Sequence, residues 1–483
     1  MTIFDYSRKL LYTVVGIESQ GDIIMENATQ TVRAYNESWL SLNGRQPTVF
    51  ISTFGCQANV HDSEKISGLL HEMGYAQATS ETQADLVIYN TCCVRENAEN
   101  KLFGHLGELK RAKERNRELR IAVCGCMMQT DAAVEKLLRS YPYVDLIFGT
   151  HNLHALPELL LASIESCGQV VDIWDSSDDI REDLPVKREH SFKASVNIMY
   201  GCDNYCSYCI VPYVRGRERS RKSADIVREC EKLSSDGVRE LLLLGQNVNS
   251  YGAGLGEGVN FARLLRRLNK IDGLERIRFM TSHPNDLSDE LIEAIVDCRK
   301  ICRHVHLPIQ SGSDAILEKM NRRYIKEDYL ELVRKLMAIS PDMRITTDII
   351  VGFPGETEAD FEHTLDVVRR ARFSNAFTFK YSKRTGTPAA AMEQVPDDIV
   401  SERFTRLLGA LNPIVYEISL SNVGKVVSVL VEERNPVDPA LFTGRAEDNS
   451  IVHFSGNSAK IGDIIDVKIT GCKTFYLTGE AMT

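Results

Sequence analysis

The sequence predicts an α/β protein in three parts: an N-terminal open parallel α/β sheet, a central partial (β/α)6 barrel, and a small C-terminal antiparallel β-barrel. Two observations carry the first two parts. Short apolar runs alternate with amphipathic helical stretches over residues 46–162 and again over 188–418, the pattern of parallel strands with helices on their faces. Polar or glycine-bearing turns follow those runs, at positions where parallel sheets bind ligands. The third observation is a change of texture over 420–483, where short β runs are separated by Gly, Asn and Asp. Small barrels of the nucleic-acid-binding kind read this way.

In the first part "PTVFIST", "ADLVIYN", "LRIAVCG" and "VDLIFGT" are the expected strands. "DSEKISGLLHEMGY", "ENAENKLFGHLGELKRAKERN" and "DAAVEKLLRSY" are the helices between them. No GxGxxG occupies the first turn, which argues against a dinucleotide domain. Residues 163–187 are acidic and aperiodic and read as a connection. Six further strands follow: "ASVNIMY", "RELLLLGQN", "RIRFMTSHP", "HVHLPIQSG", "RITTDIIVGFPGE" and "AFTFKYS". Their exits carry Gln246-Asn247, Thr281-Ser282-His283, Gln310-Ser311 and the glycine turn at 352–357. "GKVVSVLVE", "LFTGRAED", "SIVHFSG" and "DIIDVKITGCKTFYLTGE" make up the last part.

Whole-chain properties narrow the function classes. No apolar run approaches the roughly 18–20 residues that span a bilayer, so no membrane partner is expected. Residues 1–45 read as a leader of no assigned role, without a cleavage site. The net charge of −10 weighs mildly against nucleic acid, although phosphate binding depends on local patches. Thirteen cysteines are an odd number, on a chain too large to need disulfide staples. Their place in glycine-bearing turns suggests thiolate ligands in a reducing compartment, the cytoplasm.

Two cysteine sets stand out. Cys202, Cys206 and Cys209 form C-x3-C-x2-C in "GCDNYCSYC". Cys56, Cys92 and Cys126 each follow an expected strand and so converge at one sheet edge. The bland reading of the second set is small buried residues; polar Gln57, Asn59, Thr91 and Gln129 beside them argue otherwise. A closed zinc site wants four ligands, and His190 is the only candidate near the first set. Three thiolates instead suit a 4Fe-4S cubane with one iron left open for S-adenosylmethionine.

The motifs "TFGCQ", "NTCCVRENAE", "GCMMQ", "GCDNYCSYCIVPYVRGRERSR", "LLGQNVNSYG", "TSHP", "HLPIQSGS", "IIVGFPGET" and "YSKRTGTPAA" resemble those of the radical S-adenosylmethionine methylthiotransferases, most closely the MiaB type. They occur in the expected order over about 48–480. The resemblance implies a methylthiotransferase domain at 46–162, a radical S-adenosylmethionine barrel at 188–418 and a TRAM domain at 420–483. It implies two 4Fe-4S clusters, an auxiliary one on Cys56, Cys92 and Cys126 and a radical one on Cys202, Cys206 and Cys209. Cys93 is then an extra thiol beside a ligand. The remaining cysteines (124, 167, 230, 298, 302 and 472) read as packing residues.

The implied activity adds a methylthio group to carbon 2 of isopentenyladenosine at tRNA position 37. Two S-adenosylmethionine molecules are used, one as methyl donor and one as radical source. An external reductant, a sulfur donor and the anticodon stem-loop are the implied partners. Sister groups act on threonylcarbamoyl-adenosine in tRNA or on a ribosomal-protein aspartate. A noncatalytic iron-sulfur RNA-binding protein is the alternative of another class.

Tyr208, Gln246, Gln310 and Ser311 are the expected cofactor contacts. Arg215, Arg217, Arg219, Arg221 and Lys222 are the expected contacts to tRNA phosphates, which position the RNA without reading its bases. Lys425, Arg445 and Lys473 extend that set into the last part.

Overall fold

The computed structural model describes residues 21–93, 96–166, 168–177, 180–256, 258–456 and 459–482. Cys167 and the first twenty residues of the expected leader lie outside them. The chain divides into two compact units. One holds the residues up to Glu189 together with Ile210–Arg217; the other holds His190–Cys209 and the chain from Glu218 onward.

The first unit is a six-stranded sheet, parallel throughout. Its strands are β1 (Thr48–Thr53), β2 (Ala76–Gln77), β3 (Leu86–Thr91), β4 (Arg120–Gly125), β5 (Leu146–Phe148) and β6 (Val170–Asp172), in the order β2-β1-β3-β4-β5-β6. The order reverses between β1 and β3. Ile66, Leu69 and Leu70 of α2 (Gln57–Glu72) pack on one face. Leu102, Leu106 and Leu109 of α3 (Glu96–Arg115), with Leu137 of α4 (Asp131–Ser140), pack on the other.

The unit extends beyond the expected boundaries at both ends. Helix α1 (Gly21–Asn43), in the stretch read as a leader, buries Ala28 and Val32, and Asn36 Nδ2 donates to Met73 O over 2.9 Å. Strand β6, preceded by α5 (Leu156–Glu165), falls in the stretch read as a connection, yet pairs with β5. Its short run lies among acidic residues without periodicity, which masked it in the sequence. Further along that stretch, Lys187 N donates to Glu64 O over 3.0 Å.

The second unit carries the six expected strands: β7 (Lys193–Asn197), β10 (Glu240–Leu244), β11 (Arg276–Phe279), β12 (His304–His306), β13 (Arg344–Val351) and β14 (Asn375–Lys380). They pair in parallel within β7-β10-β11 and within β12-β13-β14. A parallel bridge pairs Ile277 of β11 with Ile301, just before β12, which puts the second group next to the first in sequence order. Helices α7 (Ser223–Ser235), α8 (Phe261–Leu268), α9 (Asp289–Asp297), α10 (Asp314–Lys319), α11 (Lys326–Ile339) and α12 (Glu358–Ala371) lie between them; α6 (Val211–Arg215) belongs to the first unit. A two-stranded ribbon, β8 (Met199–Tyr200) with β9 (Arg219–Ser220), flanks the three-cysteine loop.

Helix α13 (Asp397–Leu420) leads into a closed barrel of β15 (Val426–Arg434), β16 (Phe442–Ala446), β17 (Ile451–Ser455), β18 (Ile464–Cys472) and β19 (Tyr476–Ala481). The barrel is the expected antiparallel one in its other four pairs, and β17 with β19 is parallel. Five strands closed into a ring cannot alternate in direction all the way round, so one neighbouring pair has to be parallel.

Two arginines of β11 fasten this small barrel within the second unit. Arg276 donates to the carbonyls of Arg445 and Ser428, each over 2.9 Å; Arg278 donates to those of Glu447 (3.0 Å) and Ala446 (2.7 Å). Both are buried, with Glu240 Oε2 3.0 Å from Arg278 Nε. Removing one partner of a buried ion pair leaves the other charge uncompensated. Arg278→Met is therefore expected to lower stability by about 3–5 kcal/mol, read as a shift of the urea midpoint. Arg278→Lys should recover part of it.

Among the described residues no helix is long and apolar enough to cross a membrane. Cys124, Cys230, Cys298 and Cys302 are buried and Cys472 packs against the small barrel's core.

Candidate metal centres

In open parallel sheets, ligands bind beyond the carboxyl ends of the strands where the strand order reverses. Here that crevice lies between β1 and β3. Cys56 follows β1, Cys92 follows β3 and Cys126 follows β4. Gly55 makes the first approach possible: at φ +127° it lies so close that an added Cβ would stand 2.5 Å from Cys92 Cβ and 3.0 Å from its Sγ. Gly55→Ala meets both that clash and a backbone conformation costing about 1–3 kcal/mol for a residue with a side chain. The variant is expected to retain less iron at this site after reconstitution, measured per chain following gel filtration.

Asn59, in the first turn of α2, holds the loops together. Its Nδ2 donates to Thr91 O (2.8 Å) and Phe54 O (3.1 Å), while its Oδ1 accepts from the thiols of Cys56 (3.6 Å) and Cys126 (3.7 Å). Arg215 completes the group. Its Nε donates to Cys126 Sγ over 3.1 Å, its Nη2 to Asn59 Oδ1 over 3.0 Å, and its Nη2 lies 2.8 Å from Asp62 Oδ2. Burial alone would lower the guanidinium's pKa; the charges of Asp62, Cys126 and Cys56 raise it well above the ordinary value. A hydrogen bond from Cys93, then the Arg215 charge, draws the Cys126 thiol below its usual value, against burial. The same hydrogen bond, with burial, pushes Cys93 up.

The second set lies in the loop after β8. Ser207 anchors this loop: its N donates to Met320 O (3.0 Å) and its Oγ to Lys319 O (2.7 Å), and its carbonyl accepts from Ala389 N (2.9 Å). Asn321 Nδ2 donates to the carbonyls of Asn204 (3.2 Å) and Tyr205 (3.0 Å), where Tyr205 turns at φ +46°. Asn204 Nδ2 donates to Cys202 Sγ over 3.5 Å. Buried Arg322 donates through Nη1 to Cys206 Sγ (3.6 Å), through Nη2 to Pro308 O (2.6 Å) and through Nε to the Tyr324 hydroxyl (2.8 Å). Each thiol set thus carries one guanidinium on one of its sulfurs.

Among the described residues no three His, Cys, Asp or Glu side chains gather closely enough to hold a single metal ion. A cubane needs its thiols spread around it, one to an iron, and thiolates are the ligands it takes. His190, the candidate fourth zinc ligand, has its ring 5.2 Å from that of Phe192.

Tyr208 packs against Ile316, Met320, Ile350 and Phe353 at the strand exits. Gln246 is half-buried after β10. Gln310 and Ser311 are buried: Gln310 exchanges backbone bonds with Asp348 and Ile350, and Ser311 Oγ accepts from Ser313 N over 3.2 Å.

The cations separate into two groups. Arg215, 11% exposed, and the buried Arg221 are turned toward partners within the chain. Arg221 donates through Nη1 to Asn197 O (2.6 Å), and its Nη2 lies 2.7 Å from Glu229 Oε2. Arg217, Lys222, Lys425 and Lys473 are exposed. Arg219 lies 6.0 Å from the Tyr200 ring, and Arg445 donates to Asn449 while lying 3.7 Å from Glu432. Sequence reading missed Asp62 and Arg322 and gave Asn59 no role beyond its polarity. The three-residue step from Cys56 to Asn59, one helical turn, is a usable signal; nothing near the second set points to Arg322.

Three family models match the chain: an uncharacterized protein family, UPF0004, over residues 48–149, the radical SAM superfamily over 196–368 and the TRAM domain over 420–482. Among solved structures, the radical S-adenosylmethionine methyltransferase TsrM from Kitasatospora setae, bound to tryptophan and a SAM analogue, is similar at TM-score 0.52. It is 17% identical, over 71% of this chain and 75% of that one, and shows the fold. A tRNA-2-methylthio-N(6)-dimethylallyladenosine synthase from Alkaliphilus oremlandii is 52% identical over 98% of both chains. Another, from Acetivibrio thermocellus, is 55% identical over 90% of this chain and 91% of its own. With that identity over nearly the whole length, the chain belongs to the tRNA-2-methylthio-N(6)-dimethylallyladenosine synthase family.

Proposed function

We propose that this enzyme adds a methylthio group to carbon 2 of N6-dimethylallyladenosine at position 37 of tRNA. The observation that carries the reading is the presence of two three-thiol sets, each with an arginine donating to one sulfur, in a chain of this family. One set would suffice for a radical enzyme; the second gives a place for sulfur. When bound, two 4Fe-4S clusters and S-adenosylmethionine would supply the radical and the methylthio chemistry.

The chain's own residues hold and insulate these groups. Cys56, Cys92 and Cys126 would ligate the auxiliary cluster, with Asn59 fixing the loops and Arg215 neutralising thiolate charge. Cys202, Cys206 and Cys209 would ligate the radical cluster, with Arg322 in the corresponding role. Tyr208 places an aromatic wall beside the cofactor position, and Gln246 offers an amide there. Gln310 and Ser311 would contact the cofactor's ribose. Arg217, Arg219 and Lys222, with Lys425, Arg445 and Lys473, would meet phosphates of the anticodon stem-loop. An external reductant and a sulfur donor complete the reaction, in the cytoplasm.

Mass spectrometry of nucleosides from cells with and without the gene tests the reading. Loss of 2-methylthio-dimethylallyladenosine, with its unthiolated precursor accumulating, is expected. Unchanged tRNA nucleosides would overturn it, and an altered ribosomal peptide would point to a protein substrate.

A further inference from the structure

Strand β14 ends the order β12-β13-β14, and two of its phenylalanines, Phe377 and Phe379, remain 48% and 44% exposed. Side chains alternate along a strand, so the two share one face. Their register partners on β13 are Asp348 and Ile350. The His306 ring meets Phe377 edge-on with centroids 5.7 Å apart, and His306 Nε2 lies 3.4 Å from Asp348 Oδ1. Ile350 packs with Tyr208 of the three-cysteine loop. A single sheet face therefore runs from that loop to the exposed pair. Beyond the strand comes "YSKRTG", in which Lys383 is exposed. Lys380 turns the other way, donating to Ser401 Oγ over 2.8 Å.

Half-exposed aromatic rings with a cation just beyond them are complementary to single-stranded RNA. Every base offers a π face, and loop bases splayed from their stack are commonly held on aromatic side chains. An N6-alkylated adenine keeps one exocyclic N–H, and the Asp348 carboxylate, 26% exposed, is an acceptor beside the rings. We propose that Phe377 and Phe379 form the stacking seat for the target purine, that Asp348 accepts from its exocyclic N–H, and that Lys383 meets an adjacent phosphate. The proposal rests on the tRNA reading above and names the residues that select its base.

The test uses the reconstituted full chain and anticodon stem-loop RNAs that differ only at the target position, carrying dimethylallyladenosine, N6,N6-dimethyladenosine or the fluorescent base 2-aminopurine. Phe377→Ala and Phe379→Ala are each expected to weaken binding of the dimethylallyl RNA by about 5- to 150-fold, the range of one lost base–aromatic stack. Quenching of 2-aminopurine should fall in parallel, while Phe377→Tyr and Phe379→Tyr retain both. Asp348→Asn should reduce the preference for dimethylallyladenosine over a dimethylated, N–H-free analogue. Alanine variants that bind and quench like the native protein would overturn the seat. A native enzyme that binds the RNA but forms no methylthio product would instead overturn the proposed reaction and leave the seat standing. Equal affinity of native protein for an RNA lacking the target base would also refute the seat and leave a different partner for this face.

Discussion

With Cys202, Cys206 and Cys209 all replaced by alanine, the reconstituted protein is expected to keep about half of its iron and to lose S-adenosylmethionine cleavage entirely. Under the proposed reading, two cubanes of four irons each on separate thiolate sets would give that halving. The three thiols lie in one loop fastened through Ser207 to Lys319, Met320 and Ala389, so the substitutions remove ligands without removing the loop's anchors. Replacing Cys56, Cys92 and Cys126 instead should also halve the iron, but 5′-deoxyadenosine should still form and methylthio product should not. Iron assays, electron paramagnetic resonance of the reduced protein and chromatography of the two products separate the cases. Full product from either triple variant would remove the basis for two distinct centres.

Arg215→Met is expected to destabilise the first unit by about 3–5 kcal/mol, as expected when one partner of a buried ion pair is removed. The side chains of Arg215 and Asp62 are each only 11% exposed. Without the guanidinium, Asp62 is left as a buried carboxylate, and Cys126 Sγ and Asn59 Oδ1 lose their charged donor. The double variant Arg215→Met/Asp62→Leu should recover much of the loss, since removing both charges of a buried pair is often nearly neutral. Urea denaturation of the apoprotein measures both. A single variant within 0.5 kcal/mol of native, about the effect of an ordinary surface change, would show that the pair is not structural. Arg215→Lys keeps a charge but not the planar fork that reaches sulfur, amide and carboxylate together, and should lie between.

The two alternations of strand and helix were legible because most apolar runs are bounded by glycine or polar turns and separated by amphipathic helical stretches. Strand β6 was not, because its short run sits in an acidic, aperiodic stretch, and α1 was not, because its buried positions are Ala28, Val32 and the polar Asn36. The thiol sets were legible for different reasons. One is contiguous; the other emerges once three cysteines are seen to follow three parallel strands, because parallel strands share a carboxyl edge. The odd strand count of the last barrel implied a parallel pair that composition alone does not reveal.

The run "RGRERSR" shows where such reading stops. Arg215 and Arg217 stand two residues apart in the same charged stretch, yet one donates to Cys126 and the other is exposed. Charge density along a sequence does not encode which side chain will find a carboxylate brought to it from another element, as Asp62 and Glu229 are here. Arg322 reaches Cys206 from far along the chain for the same reason. The kinds of donor and their number are local properties, written in spacing. The counter-charges that hold them are long-range contacts, and these exist only once the strands and helices have packed.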